Sequence, residues 1–127
     1  MKEQVEVRSL KQGRYVLIDD EPCTIIGITS SKPGKHGSAK ARIDAIGIFD
    51  SQKRSITQPV TAKIYVPIVE RKSGQVLSLS NEAVQLMDTV DYSTFEMGVP
   101  AEFRERLEIG KEVTYIESMG RRKIDMR

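Results

Sequence analysis

CTIIGITSSKPGKHGSAKARIDAIGIF, residues 23 to 49, sets two strand-like runs around a glycine-rich centre. Cys23 to Thr29 is rich in β-branched residues, which favour a pleated, half-buried backbone. Ala39 to Phe49 continues that pattern on the far side. Between them, Pro33-Gly34 fits the centre of a type II turn, with proline fixing φ at the first central position and glycine supplying positive φ at the second. Lys32 and Lys35 then stand at the turn's ends, and Lys35 and His36 lie between Gly34 and Gly37. The stretch reads as a long hairpin whose tip exposes a lysine with little bulk beside it.

Working outward, the first half holds further short strands. Val5 and Val7 alternate with charged residues, Tyr15 to Ile18 is an apolar run, and Ile56 to Val60 and Ala62 to Val66 follow. Gly13, Asp19 to Pro22 and Asp50 to Lys53 punctuate them. Strands at about 8–12-residue spacing with turn signals between predict a small barrel or sandwich. Pro59 and Pro67 belong at strand ends or edges, because proline cannot donate to a ladder. In the second half, Ile68 to Lys72 and Gln75 to Leu79 flank Ser73-Gly74, which predicts a hairpin. Val84 to Met87 and Thr94 to Met97 are further strands, and Val113 to Ser118 and Arg122 to Met126 flank a second hairpin at Met119-Gly120. Pro100 to Leu107 reads as one short helix, with proline at its first position, acids near its N-terminal end, and Phe103 and Leu107 on one face. A boundary near Ile68 gives two β-rich units, residues 1–68 and 69–127. Each is small enough to be marginal alone.

Composition narrows the function. The chain has 127 residues, 39% hydrophobic and 30% charged, which is neither a disordered chain nor a membrane protein. Its longest apolar runs are four residues, against about 20 for a spanning helix. MKEQVEV has no apolar core of a secretory signal, so a cytoplasmic protein is expected. A single cysteine, Cys23, excludes a disulfide within the chain and a Cys-only zinc site, and reads as a small buried hydrophobe. Trp is absent and aromatics are 6%, which argues against broad stacking platforms for nucleic acid. The net charge is only +2, but residues 1–68 hold 11 basic and 7 acidic groups, and residues 69–127 hold 9 and 11. Lys32, Lys35, Lys40 and Arg42 fall within Ser30 to Arg42 with no acid among them, so that one segment equals the first half's excess of four. A polyanion would meet a local basic feature rather than a basic protein.

Three chemistries compete for the loop. A phosphate-cradling P-loop requires G-x-x-x-x-G-K-[ST], but Thr29 takes the first glycine position and His36 the Ser/Thr position, and the next segment is strand-like. Catalysis by His36, the only histidine, lacks a partner base or nucleophile. A presented lysine, open to modification or RNA contact, uses every residue type in the loop.

The segment from Ser31 to Lys40 matches S-K-x-G-K-H-G-x-A-K at every fixed position. It resembles the modification loop of the hypusine-containing translation factor 5A family, and the resemblance extends through DAIGIFD (44–50) and YVPIV (65–69) along essentially the whole chain. The short N-terminus is similar to archaeal members. Pro33 stands where the common eukaryotic form has threonine, and Ser38 where it has a second histidine.

The resemblance implies a mainly β fold, an SH3-like barrel (1–68) followed by an OB-fold (69–127) with one short helix. It implies that Lys35 accepts an aminobutyl group that deoxyhypusine synthase takes from spermidine. The NAD for that reaction belongs to the synthase, and the chain itself uses no cofactor. It further implies a cytoplasmic, monomeric, non-enzymatic factor that binds the ribosome, its rRNA and ribosomal proteins, beside peptidyl-tRNA. Such a factor relieves stalling at consecutive prolines and assists termination through hypusine or deoxyhypusine. Lys32, Pro33, Gly34, His36, Gly37, Ser38, Lys40 and Arg42 would then form the loop and its tRNA or rRNA contacts, with Arg121, Arg122 and Lys123 as a secondary RNA contact. The alternative is an unmodified RNA-binding or RNA-chaperone module that uses the basic loop and the OB-fold.

Overall fold

The computed structural model describes residues 2–31 and 39–125. Its chain divides into two compact units, residues 1–68 and 69–127.

The first unit holds β1 (Lys2–Glu6), β2 (Tyr15–Ile18), β3 (Glu21–Ser31), β4 (Lys40–Gly47), β5 (Lys53–Pro59) and β6 (Lys63–Pro67). Strands β2, β3, β4 and β5 form an antiparallel sheet in sequence order, and β1 pairs with β6. Strand β6 packs beside β2, which brings the two sheets together as a small barrel. Alternation decides which residues enter it: on β4, Ala41, Ile43 and Ala45 are buried while Lys40, Arg42 and Ile46 are exposed. Val16, Ile18, Cys23 and Ile25 complete the inner face. Full burial of a side chain the size of Val or Ile contributes about 1.5–3 kcal/mol, so this face supplies most of the unit's cohesion. Cys23 is fully buried, and that burial, more than any other influence, pushes its thiol pKa up, as suits a core residue. Asp19 and Asp20, both at positive φ (54° and 61°), make the tight turn from β2 to β3. Pro59 and Pro67 close β5 and β6 as the sequence predicts, whereas Pro22 sits inside β3, opposite Leu17 near the strand's start.

The second unit holds β7 (Glu70–Leu79), β8 (Ala83–Asp88), β9 (Thr94–Gly98), β10 (Glu112–Ser118) and β11 (Arg121–Ile124). Their order across the sheet is β11-β10-β7-β8-β9, and β9 comes back against β11. That closes the five-stranded Greek-key barrel of an OB-fold. Val76, Val84, Leu86, Val113, Tyr115 and Ile124 fill it from the strands, and Phe103 and Leu107 fill it from the segment between β9 and β10.

Two expectations change here. Ser73-Gly74 is no hairpin turn: both residues lie within the ten-residue β7, and the chain turns instead at 80–82. Gly74 is glycine because a Cβ there would meet Leu86 Cβ and Cδ1 at 3.3 Å. The predicted helix over Pro100–Leu107 is a 3₁₀ segment, Ala101–Arg106, with Pro100 outside it as the cap. A segment this short cannot meet the nucleation cost of an α-helix by itself, and it closes with i→i−3 bonds, Phe103 N–H to Pro100 O and Leu107 N–H to Arg104 O. The hairpin at Met119-Gly120 is present, with both residues at positive φ (54° and 77°). Among the described residues, no helix is long and apolar enough to cross a membrane.

Candidate functional site

Lys32, Pro33, Gly34, Lys35, His36, Gly37 and Ser38 lie outside the described residues. Strands β3 and β4 form the long hairpin expected from the sequence, and Ser31 opposite Lys40 is its last pair. Lys40 is paired on its other side as well, with Pro59 of β5. One residue earlier, the Ala39 carbonyl accepts the Val60 N–H at 3.0 Å. The returning arm is therefore fixed to the sheet up to the residue at which the loop ends. A site carried on strands is held more firmly than one carried on a free loop.

The same alternation that buries Ala41 and Ile43 turns Lys40 and Arg42 to one exposed face. Across the ladder stand Ser31 and Thr29, small exposed residues that leave both cations unobstructed. Arg42 meets Asp44 at 3.3 Å, and Asp44 also accepts from Ser55 Oγ. That hydroxyl, ahead of Arg42, holds the Asp44 carboxyl below its ordinary pKa. The Arg42 side chain is 62% exposed, so the pair is a weak one that an RNA phosphate could replace. At the far end of the hairpin Arg54 grips Asp50 through both guanidinium nitrogens, at 3.1 and 2.7 Å. This grip lowers the Asp50 pKa to about 2.

Arg121, Arg122 and Lys123 do not form one patch. They sit on β11, where neighbours point to opposite sides, and Arg122 is the most exposed of the three. Its Nε lies 2.7 Å from Glu117 and its guanidinium 4.3 Å over the Phe95 ring, so it is already engaged. Among the described residues no cluster of His, Cys, Asp or Glu could hold a metal ion. Sequence reasoning passed over Lys11 and Arg14, which the fold sets at the two ends of one turn.

Residues 3–62 match the family model for the N-terminal part of translation initiation factor 5A-like proteins. Residues 68–126 match the model described as eukaryotic elongation factor 5A hypusine, DNA-binding OB fold. The chain belongs to the translation initiation factor 5A family. A factor 5A from Archaeoglobus fulgidus is 66% identical over 125 residues, 98% of each chain. One from Methanococcoides burtonii is 65% identical over the full length of both. Among solved structures, the factor 5A from Methanococcus jannaschii superposes with a TM-score of 0.91 at 49% identity, covering 98% of this chain and 93% of that one. A family protein from Naegleria fowleri gives 0.78 at 34% identity, covering 98% and 96%. The barrel followed by an OB-fold is thus the factor 5A architecture.

Proposed function

We propose that this chain is a non-enzymatic translation factor whose working group is Lys35, extended by an aminobutyl unit to deoxyhypusine or hypusine. The observation that carries this is the unbroken match of Ser31 to Lys40 to the modification pattern in a chain of the factor 5A family. Deoxyhypusine synthase supplies the group from spermidine with its own NAD, and the chain needs no cofactor of its own. The modification roughly doubles the lysine's reach, keeps it thin, and gives it two ammonium centres in place of one. The glycines beside Lys35 leave room for a narrow enzyme tunnel.

The factor acts as a cytoplasmic monomer on the ribosome, beside peptidyl-tRNA. Lys32, Lys40 and Arg42 contact tRNA or rRNA phosphates, which position without reading sequence. His36 supports the loop or touches RNA or the synthase. The extended Lys35 steadies a poorly reactive peptidyl end, so the barrier falls by positioning rather than by chemistry of the factor. Consecutive prolines and termination are where such help matters. Two measurements test this. Mass spectrometry of the Lys35 peptide from the native source should show added aminobutyl mass, and one further oxygen would distinguish hypusine. Lys35→Arg, which keeps a charge, should lose both modification and polyproline synthesis, while Lys123→Arg changes little. Normal polyproline translation by Lys35→Arg protein would move the assignment to an unmodified RNA-binding module.

A further inference from the structure

The first unit carries a second feature suited to RNA, and the loop chemistry does not account for it. A groove of about 350 Å³ opens between the 9–15 segment and the end of β6. Val5, Leu10, Val66 and Pro67 line its apolar part, Tyr15 adds a half-buried ring, and Lys11 and Arg14 stand exposed beside it. No acidic residue is among those lining it.

Local backbone geometry builds this arrangement. The Arg14 N–H donates to the Lys11 carbonyl at 3.1 Å, so the two cations occupy the first and last positions of one β-turn. Their Cα atoms are therefore within about 7 Å of each other. Gly13 takes φ +87°, which a residue with a side chain adopts only under strain. Its N–H donates to Ile25 O at 2.9 Å, and Ile25 N–H donates to Arg14 O at 2.8 Å, so the turn is fastened to β3 from both directions. Among the described residues neither Lys11 nor Arg14 forms an ion pair, and the Tyr15 hydroxyl has no hydrogen-bond partner. By contrast Arg8, three residues before Lys11, is already paired with Glu6.

We infer that this groove receives one unstacked nucleotide of an RNA strand, its base against the apolar floor and Tyr15, its phosphate between Lys11 and Arg14. Splayed bases are taken up by aromatic and apolar side chains, and phosphates by paired cations. The apolar floor and the half-buried Tyr15 ring favour the flat face of a base, which the carboxylate side chains of an acidic peptide do not offer. Ile25 lies six residues before Ser31 on β3, about 20 Å along the strand, so this contact is separate from the modified loop. The inference takes RNA as the polyanion from the function proposed above, but it does not depend on Lys35.

The test uses unmodified full-length protein and a ten-nucleotide oligouridine, followed by backbone amide chemical shifts. Shifts at residues 10–15 and at Val66 should saturate together. Lys11→Glu with Arg14→Glu should weaken that binding at least about 10-fold while leaving the rest of the spectrum in place, since both side chains are exposed. Tyr15→Phe, which keeps the ring, should weaken it by a smaller factor. Shifts confined to residues 29–42 would overturn the inference. So would equal shifts from a hexaglutamate peptide at the same concentration, which would make the groove an acidic-peptide site. Failure here leaves the Lys35→Arg result untouched, so the two readings fall separately.

Discussion

Asp88 is the clearest case of a single residue holding a turn in place, the one that follows β8. It is buried, yet its carboxylate accepts from the Tyr115 hydroxyl and from the Val90 and Asp91 N–H groups at 2.8 and 3.1 Å. Those bonds hold its pKa below the ordinary carboxylate range, the tyrosine's first. Tyr115 shifts the other way, upward, chiefly from burial and then from the same bond. The signs set two flanks of stability. Asp88 stabilises the OB unit above its unfolded pKa of about 3.9, and that support fades as pH falls below it. Tyr115 stabilises below about pH 10, and its support fades as pH rises beyond that. Tyr115→Phe deprives a buried carboxylate of a donor and should cost about 1–3 kcal/mol at neutral pH. Urea unfolding across pH should also show the alkaline decline flattened in the variant. An unchanged alkaline limb would mean that the tyrosine bond is not the one felt by the fold.

At the scale of elements, β7 shows what the sequence conceals. Ser73-Gly74 has turn composition, but this glycine serves a close approach, with Leu86 of β8 in tight contact with the position a Cβ would take. Gly74→Val should therefore destabilise the protein by about 1–3 kcal/mol in denaturant unfolding. Gly27→Ala is the control, because a Cβ at Gly27 meets nothing within 4 Å; it should be near neutral. A turn reading of Gly74 would predict tolerance of valine no worse than at Gly27. Elsewhere the elements were legible where alternation is strong: β4 reads correctly from ARIDAIG because its buried and exposed positions alternate without a break. The 3₁₀ segment was legible in place and in its buried Phe103 and Leu107, but not in type, because its capping proline and apolar spacing fit either helix. The candidate site divides the same way. Residues 31–40 announce themselves as a motif, and the stem that holds them follows from strand pattern. The spread of Arg121, Arg122 and Lys123 over two faces follows only once β11 is known to be a strand. The convergence of Lys11 and Arg14 on Val66 and Pro67 joins positions some fifty residues apart, which no local pattern reports.

At the scale of the molecule, charge decides how the factor meets a polyanion. A net charge of +2 gives a weak long-range field, so the RNA contact proposed above would draw its affinity from a few local contacts. Lys40 and Arg42 stand exposed on the stem, and Lys32 and Lys35 belong to the same acid-free segment. Each phosphate neutralised releases counterions, so the logarithm of ribosome affinity should fall linearly with the logarithm of salt concentration. The modification proposed for Lys35 sharpens this expectation. Aminobutyl-Lys35 carries two ammonium centres where the bare lysine has one, so the modified protein should show a slope steeper by about 0.7–0.9. Titrating both forms onto ribosomes at several salt concentrations separates two roles for the added group. A steeper slope means that its second charge lies against phosphate. Tighter binding by the modified form at the same slope would place that charge away from the backbone, leaving the extra length and its contacts to account for the gain. A flat salt response in both forms would remove the basic loop from RNA altogether.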